Sequence, residues 1–258
     1  MILALDVGNT NIVVGCIDSG EIRCIERIRT EPNATSAEYA IKLDDLLRYM
    51  KVDRNSFEGA IMASVVPPVT AALKTAAERI TGTACMIVGP GMKTGMNVLI
   101  DDPSTLGGDL AVGGVAAIAY YGSPSIVIDM GTATTVTVID KENAFRGGAI
   151  IPGVSLSFSA LASGTSLLPG IYIASPGKVI AKNTVDCMQS GAIYGTASML
   201  DGLIDRMEEE LGYSCRVVAT GGLASLVIPY CRHEIICDDD LLLKGLWILY
   251  QKNKKEGN

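Results

Sequence analysis

The sequence predicts an α/β protein of two similar halves, each opening with a three-stranded meander and carrying a mixed sheet. Three observations predict it. Apolar residues make up 48% of the 258 residues and charged residues 19%, which supplies core material and excludes disorder for the bulk of the chain. Strand-like and helix-like apolar patterns alternate along the chain. Finally, Asp6-Val-Gly-Asn-Thr-Asn-Ile-Val-Val is echoed by Asp129-Met-Gly-Thr-Ala-Thr-Thr-Val-Thr, an offset of 123 residues and close to half the chain. The halves are placed at 1–117 and 118–258.

The elements follow in order. Residues 2–7 form a continuous apolar strand, and Gly8-Asn9-Thr10 turns it into a second strand, 11–18. Ser19-Gly20 closes a hairpin into strand 21–29. Residues 36–50 have helical spacing, with Ser36 as N-cap and Glu38 in the first turn. Strand 59–66 leads through Pro67-Pro68 to helix 69–81 and a short strand, 84–88; an irregular stretch then runs to about 106. The second half repeats the plan: helix 108–121, strand 125–130, strand 134–140 and, after a turn near Glu142-Asn143, strand 145–150. Helices at 153–163 and 186–211, strand 215–220, helix 223–230, strand 234–237 and helix 239–250 complete it. The charge run Lys252-Asn-Lys254-Lys255 reads as a solvated end.

Composition narrows the chemistry. A net charge of −7 and a pI near 4.8 speak against binding a nucleic-acid backbone. The single histidine, His233, leaves no two-histidine metal site and few routes to a catalytic triad, so acid–base chemistry falls to a carboxylate. Seven cysteines at irregular spacing, none in Cys-x-x-Cys, read as reduced thiols of a cytoplasmic protein. Among them Cys231, Cys237 and His233 cluster without the usual ligand spacing. The N-terminus lacks a basic region and meets Asp6 early, unlike a signal peptide. The long uncharged stretches 110–128 and 147–177 are broken by glycine and proline, which excludes membrane spans.

Each Asp-x-Gly turn sets a carboxylate at a strand end beside exposed backbone N–H groups. Glycine lets the chain turn sharply and lets a phosphate approach the backbone. Asn9, Thr10 and Asn11 add neutral donors in the first turn; Thr132, Thr134 and Thr135 add them in the second. The aspartates would repel phosphate unless a cation lies between, so each turn predicts a bound ion. One copy alone reads as an ordinary hairpin; two at half-chain spacing read as ligand loops. Thr220-Gly221-Gly222, where a strand meets a helix, fits either a tight turn or close approach of a ligand.

Together these segments resemble the type III pantothenate kinases of the acetate and sugar kinase/Hsp70/actin superfamily. The matching segments are Asp6–Asn11, Ala63-Ser-Val-Val-Pro67, Gly107-Gly-Asp109, Asp129–Thr135, Gly147-Gly-Ala-Ile-Ile-Pro-Gly153, Gly164–Pro169, Lys182-Asn-Thr184, Gln189-Ser-Gly191 and Thr220-Gly-Gly222. The resemblance implies two ribonuclease-H-like (actin-like ATPase) domains with a cleft between them that holds ATP. It implies phosphate contacts from Asp6, Val7, Gly8, Asn9, Thr10, Asn11, Ile12 and Val13, with Asp6 near Mg²⁺, and ATP contacts from Thr132, Gly221 and Gly222. Asp129 resembles a ligand of K⁺ or NH₄⁺. Asp109 matches the general base, Gly107, Gly108, Asp109 and Leu110 a pantothenate-contacting segment, and Thr184 a residue reaching pantothenate from the neighbouring subunit of a homodimer. The implied reaction is ATP-dependent conversion of pantothenate to 4'-phosphopantothenate, the first step of coenzyme A biosynthesis.

Two departures touch the acceptor side. The family's Gly-x-Asp-Arg is here Gly107-Gly108-Asp109-Leu110, and its Tyr-Asp-Asn-Pro is Ile100-Asp101-Asp102-Pro103. Leucine cannot pair with a carboxylate as arginine does. Three readings follow: a pantothenate kinase that holds the carboxylate by other groups, a kinase for a pantetheine-like hydroxyl compound, and a nucleotide-binding regulatory paralogue with little catalysis.

Overall fold

A computed structural model describes residues 1–254 and shows a mixed α/β chain with two sheets. It divides into two compact units. The first comprises Met1–Asn97, Asp101–Ala116 and the chain from Asp240 onward; the second comprises Val98–Ile100 and Ala117–Asp239.

The first unit is built on a sheet of order β3-β2-β1-β4-β5: β1 (Ile2–Val7), β2 (Asn11–Asp18), β3 (Glu21–Arg29), β4 (Gly59–Ser64) and β5 (Cys85–Ile87). β1 is antiparallel to β2 and parallel to β4. Its run of apolar residues is explained by burial on both faces. Leu3, Leu5 and Val7 join a core with Tyr39, Leu43 and Leu73 of α1 (Ser36–Tyr49) and α2 (Pro67–Thr81), whereas Ile2 and Ala4 face a second core. That second core holds Val112 and Val115 of α3 (Gly108–Tyr121) and Leu243, Leu246 and Leu249 of α8 (Leu241–Asn253).

Three expectations are corrected here. The N-cap of α1 is Thr35, one residue earlier than Ser36: its backbone N–H donates to Glu38 Oε2 at 2.7 Å, and its hydroxyl accepts from the Glu38 N–H, a reciprocal capping box. The final helix belongs to the first unit, so a second half of 118–258 does not describe the chain. Its apolar stripe of Leu243, Leu246, Leu249 and Tyr250 is buried in a core with Ile2, Ala4, Ile61 and Val112. Nor do Lys252 and Asn253 form a loose charged tail: Lys252 Nζ donates to Thr94 O at 2.6 Å, and Asn253 exchanges two hydrogen bonds with the Lys93 backbone. Lys255 lies outside the described residues.

The second unit carries a sheet of order β11-β10-β7-β8-β9-β6: β6 (Asn97–Val98), β7 (Ser125–Met130), β8 (Ala133–Ile139), β9 (Ala144–Pro152), β10 (Arg216–Thr220) and β11 (Ile235–Cys237). Omitting β6, this is the topology of the first sheet repeated, with β7 antiparallel to β8 and parallel to β10. The repeat is inexact at the turn: Asp6 pairs with Val13, but Asp129 pairs with Thr135, so the second hairpin is one residue tighter. The edge strand β6 carries no alternation that would announce it. α4 (Val154–Ser163) follows β9. The single helix expected at 186–211 divides into α5 (Thr184–Ser190), a wide π turn at Gly191–Gly195 and α6 (Thr196–Leu211). α7 (Ala224–Val227) follows β10. Among the described residues no helix is long and apolar enough to cross a membrane.

The α3–α8 contact is close. A Cβ on Gly245 would strike the Val112 carbonyl oxygen and lie 2.7 Å from Val112 Cγ1. Gly245→Ala is therefore expected to lower stability by about 1–3 kcal/mol through overpacking. Thermal denaturation measures this, and an unchanged Tm would show that the two helices separate freely.

Candidate active site

In the first unit the β1–β2 turn is held from three sides. Gly8 N–H donates to Asn11 O at 3.0 Å, and a Cβ on Gly8 would lie 3.2 Å from that oxygen. Thr30, just past β3, donates its hydroxyl to Gly8 O at 2.6 Å and its N–H to Thr10 O at 3.0 Å. Val65 N–H reaches Val7 O at 3.1 Å. Asn9, Thr10 and Asn11 are exposed, Asp6 is half-buried, and Val7 and Ile12 face each other inside the core. Val7 and Ile12 thus offer a ligand only their backbones.

Thr30 was not singled out in the sequence. The signal lay in the meander register: once Asn11 pairs with Arg29, the next residue after β3 must lie beside Thr10. Ser64, which lies in the matching segment Ala63–Pro67, and Thr70 also acquire a role only in the structure. Their hydroxyls bond at 2.8 Å, and Ser64 Oγ accepts from Val66 N–H, fixing the passage from β4 into α2 beside the end of β1.

Asp109 sits in the first turn of α3. Gly107 supplies the carbonyl that accepts the first helical hydrogen bond, from Ala111 N–H at 3.0 Å. Both preceding glycines sit in tight surroundings. A Cβ on Gly107 would lie 2.5 Å from Asp109 Oδ1, and one on Gly108 would lie 3.2 Å from Val88 O. Val88 N–H in turn bonds Met62 O, and Met62 pairs with Leu5. The start of α3 therefore lies at the same carboxyl-terminal sheet edge where β1 ends in Asp6 and Val7.

Asp109 Oδ1 is buried with no hydrogen-bond partner among the described residues. Burial pushes the Asp109 carboxyl above the usual carboxylate range, and the N–H groups of Leu110 and of Asp109 itself pull it back. Asp109 as a residue is half-buried, and a carboxylate whose proton affinity is raised by desolvation is suited to take a proton from a substrate.

The departures from the family pattern find partial explanations. Asp102 is the N-cap of a short 3₁₀ turn, accepting from Ser104 N–H at 2.9 Å and from its hydroxyl at 2.6 Å, bonds that hold its carboxyl below the usual range. Ile100 packs near Gly147, whose Cβ position lies 3.7 Å from Ile100 Cγ2. No residue from 94 to 140 is lysine, arginine or histidine, so the chain gives Asp109 no cation within fifteen residues on either side.

In the second unit, β7 and β10 end side by side, Asp129 pairing with Thr220. Gly221 adopts φ +97°, and a Cβ there would lie 2.6 Å from Met130 N and 2.7 Å from Asp129 Oδ1. Gly153 closes the other side: its N–H donates to Thr132 O at 3.1 Å, and any side chain would strike the Gly131 and Thr132 carbonyls. Asp129, Thr132, Gly153 and Gly221 are thus gathered at one strand end, with Gly222 next in the chain, Thr132 exposed and Thr134 buried.

Thr184 lies elsewhere. It opens α5 and lines a groove of about 760 Å³ with Phe158, Leu161, Leu168, Lys182 and Asn183, none of which belongs to the β7–β8 turn. His233 is held by structure: its Nε2 lies 2.8 Å from Asp205 Oδ1, while Asp201 accepts from the backbone N–H groups of Arg232 and His233.

The repeated sheet order with paired carboxyl-terminal turns defines a class, the actin-like ATPase and sugar-kinase fold. A protein from Campylobacter jejuni, provisionally assigned as a Baf family transcriptional activator, superposes with TM-score 0.60 at 18% identity, covering 97% of this chain and 98% of that one. A protein from Sinorhizobium meliloti, provisionally assigned as a 2-dehydro-3-deoxygalactonokinase, gives 0.60 at 12% identity over 100% and 99%. Component A of (R)-2-hydroxyglutaryl-CoA dehydratase from Acidaminococcus fermentans gives 0.56 at 16% identity over 96% of each chain. A family model for type III pantothenate kinase matches residues 2–206. The chain belongs to the type III pantothenate kinase family, and hence to a family of ATP-dependent phosphotransferases.

The raised Asp109 carboxyl makes a testable statement about stability. The folded state holds this proton more tightly than the unfolded state, so stability falls as pH rises from the ordinary carboxylate range through the folded value. Asp109→Asn removes that loss. Tm measured against pH should show the variant gaining on the wild type at neutral pH, with the gain vanishing below about pH 4. An equal difference at all pH values would show that the carboxyl is not desolvated.

Proposed function

We propose that this protein transfers the γ-phosphoryl group of ATP to the primary hydroxyl of pantothenate, giving 4'-phosphopantothenate and ADP. The observation that carries the reading is the desolvated carboxyl of Asp109 in the first turn of α3, in a chain of this family. The hydroxyl oxygen attacks the γ-phosphorus, its proton passes to Asp109, and the bond from phosphorus to the oxygen that leaves with ADP breaks. Positioning and charge neutralisation carry most phosphoryl transfers, so one carboxylate suffices for the proton.

The β1–β2 turn is assigned to the phosphates, through backbone N–H groups and the side chains of Asn9, Thr10 and Asn11. Asp6 is assigned to Mg²⁺. Among the described residues no cluster of three acidic, histidine or cysteine ligands exists, which fits an ion held by one carboxylate and the phosphates themselves. Bound there, Mg²⁺ neutralises charge on the phosphates. Asp129 is assigned to K⁺ or NH₄⁺: the missing side chain at Gly221 leaves room against its Oδ1. Thr132, Gly221 and Gly222 are assigned to ATP. With leucine at 110, the acceptor's carboxylate is held by groups outside the 107–110 segment.

A homodimer is part of the proposal. Leu167 and Ile180, 90% and 84% exposed, are chain neighbours of the groove residues Leu168 and Ala181, and Tyr172 is 95% exposed; such apolar exposure is suited to burial by a second copy. The pocket shared across that interface is the assigned place for Thr184.

ADP release is the test, measured with Mg²⁺ and K⁺ or NH₄⁺ and with pantothenate, pantetheine or no acceptor. Turnover is expected with pantothenate and should fall about 10²–10⁴-fold in Asp109→Asn. Turnover with pantetheine alone would replace the acceptor, and ATP binding without any turnover would leave a regulatory nucleotide-binding protein. Equal rates in K⁺ and Na⁺ would remove the assignment of Asp129.

A further inference from the structure

Cys16 on β2 and Cys24 on β3 are direct register partners in an antiparallel pair. Opposed residues in such a pair share one face of the sheet, with Cα atoms about 4.5–5.5 Å apart. A disulfide spans Cα separations of about 4.4–6.8 Å. Both thiols are free, and both lie on the α1–α2 side of the sheet, Cys16 fully buried and Cys24 at its margin. Cys24 acts directly on Cys16: burial pushes the Cys16 thiol up, and the charge and hydrogen bonding of Cys24 push it further. The ladder changes register immediately after Cys16, where the irregularity bends the strand and increases its local twist.

We propose that Cys16 and Cys24 form a redox-closable dithiol, oxidised by a peroxide to a cross-strand disulfide. Cys24, the accessible member, attacks a peroxide oxygen as thiolate. The O–O bond breaks, leaving Cys24 sulfenic acid and hydroxide. The Cys16 thiol then displaces the sulfenic oxygen as water. In total two thiols and one hydrogen peroxide give one disulfide and two waters. Closure fixes β3, an edge strand held only by β2, and so tightens the span between Asn11 at one end of β2 and Thr30, which grips the β1–β2 turn. The chemistry of the pair is independent of the assignment of that turn to phosphates.

Arg23 lies between the two cysteines, and no lysine or arginine precedes it. Tryptic digestion therefore separates a peptide ending at Arg23 from Cys24-Ile-Glu-Arg27. Full-length protein is treated with hydrogen peroxide, blocked with iodoacetamide, digested without reductant and analysed by mass spectrometry. The two peptides are expected as one linked species that separates on reduction, is absent before peroxide and is absent from Cys24→Ser. Cys16→Ala should convert Cys24 instead to sulfinic acid. Hydrogen exchange over residues 21–29 should slow in the oxidised protein. Cys24 recovered as sulfinic acid in the wild type, or linked to another cysteine, would overturn the proposal. Unchanged exchange would overturn the tightening of β3.

Discussion

Each sheet is organised around a strand with unlike neighbours: antiparallel on one side, parallel on the other. At its carboxyl end the chain on one side turns straight back as a hairpin, while on the other it leaves the sheet through a crossover. The neighbours diverge there, leaving a gap at the strand's carboxyl end, where open α/β sheets generally place their ligand sites. Asp6 and Asp129 are the penultimate residues of β1 and β7 at these gaps. The location of the candidate site in each unit depends on this topological constraint, because it is the place where backbone N–H groups are freed from the ladder without the cost of being buried unpaired.

What surrounds the two gaps is mostly the absence of side chains. Gly8, Gly107, Gly153 and Gly221 each stand where a Cβ would meet a backbone carbonyl or a carboxylate. The remaining polar groups are hydroxyls and amides, with Thr30 and Ser64 fixing backbone positions instead of reaching outward. For the proposed polyphosphate ligand, a chain of net charge −7 has to neutralise charge locally, through oriented N–H groups and cations that arrive with the ligand.

Most of the fold was legible because its signals are local. Continuous apolar runs marked the central strands, Asp-x-Gly marked the turns, and the 123-residue echo marked the repeat. The residues that escaped depend on pairing between distant segments. Thr30 acquires its role only through the β2–β3 register, β6 is two residues of unpatterned edge, and α8 joins the first unit because its apolar stripe fits against β1 and β4. The break between α5 and α6 was missed because two glycines inside a long apolar-periodic stretch do not by themselves distinguish a helix from one interrupted by a wide turn. Asp109 was legible as a carboxylate, but its burial and its lone oxygen were not.

Asp109 is subject to two opposing influences. The start of a helix favours an ionised carboxylate, through the dipole and the free N–H groups of the first turn. Burial favours the neutral acid. Burial is the larger effect at this residue, and the reason lies in the residues around it. The glycines at 107 and 108 draw the chain tightly against Val88, the helix that follows is rich in alanine, valine and glycine, and no cation between 94 and 140 offsets the carboxylate. Leu110 brings no cation to offset burial; on the reading proposed for this site, Asp109 is thereby the more basic proton acceptor, and an acid substrate's carboxylate is held by groups other than the side chain at 110.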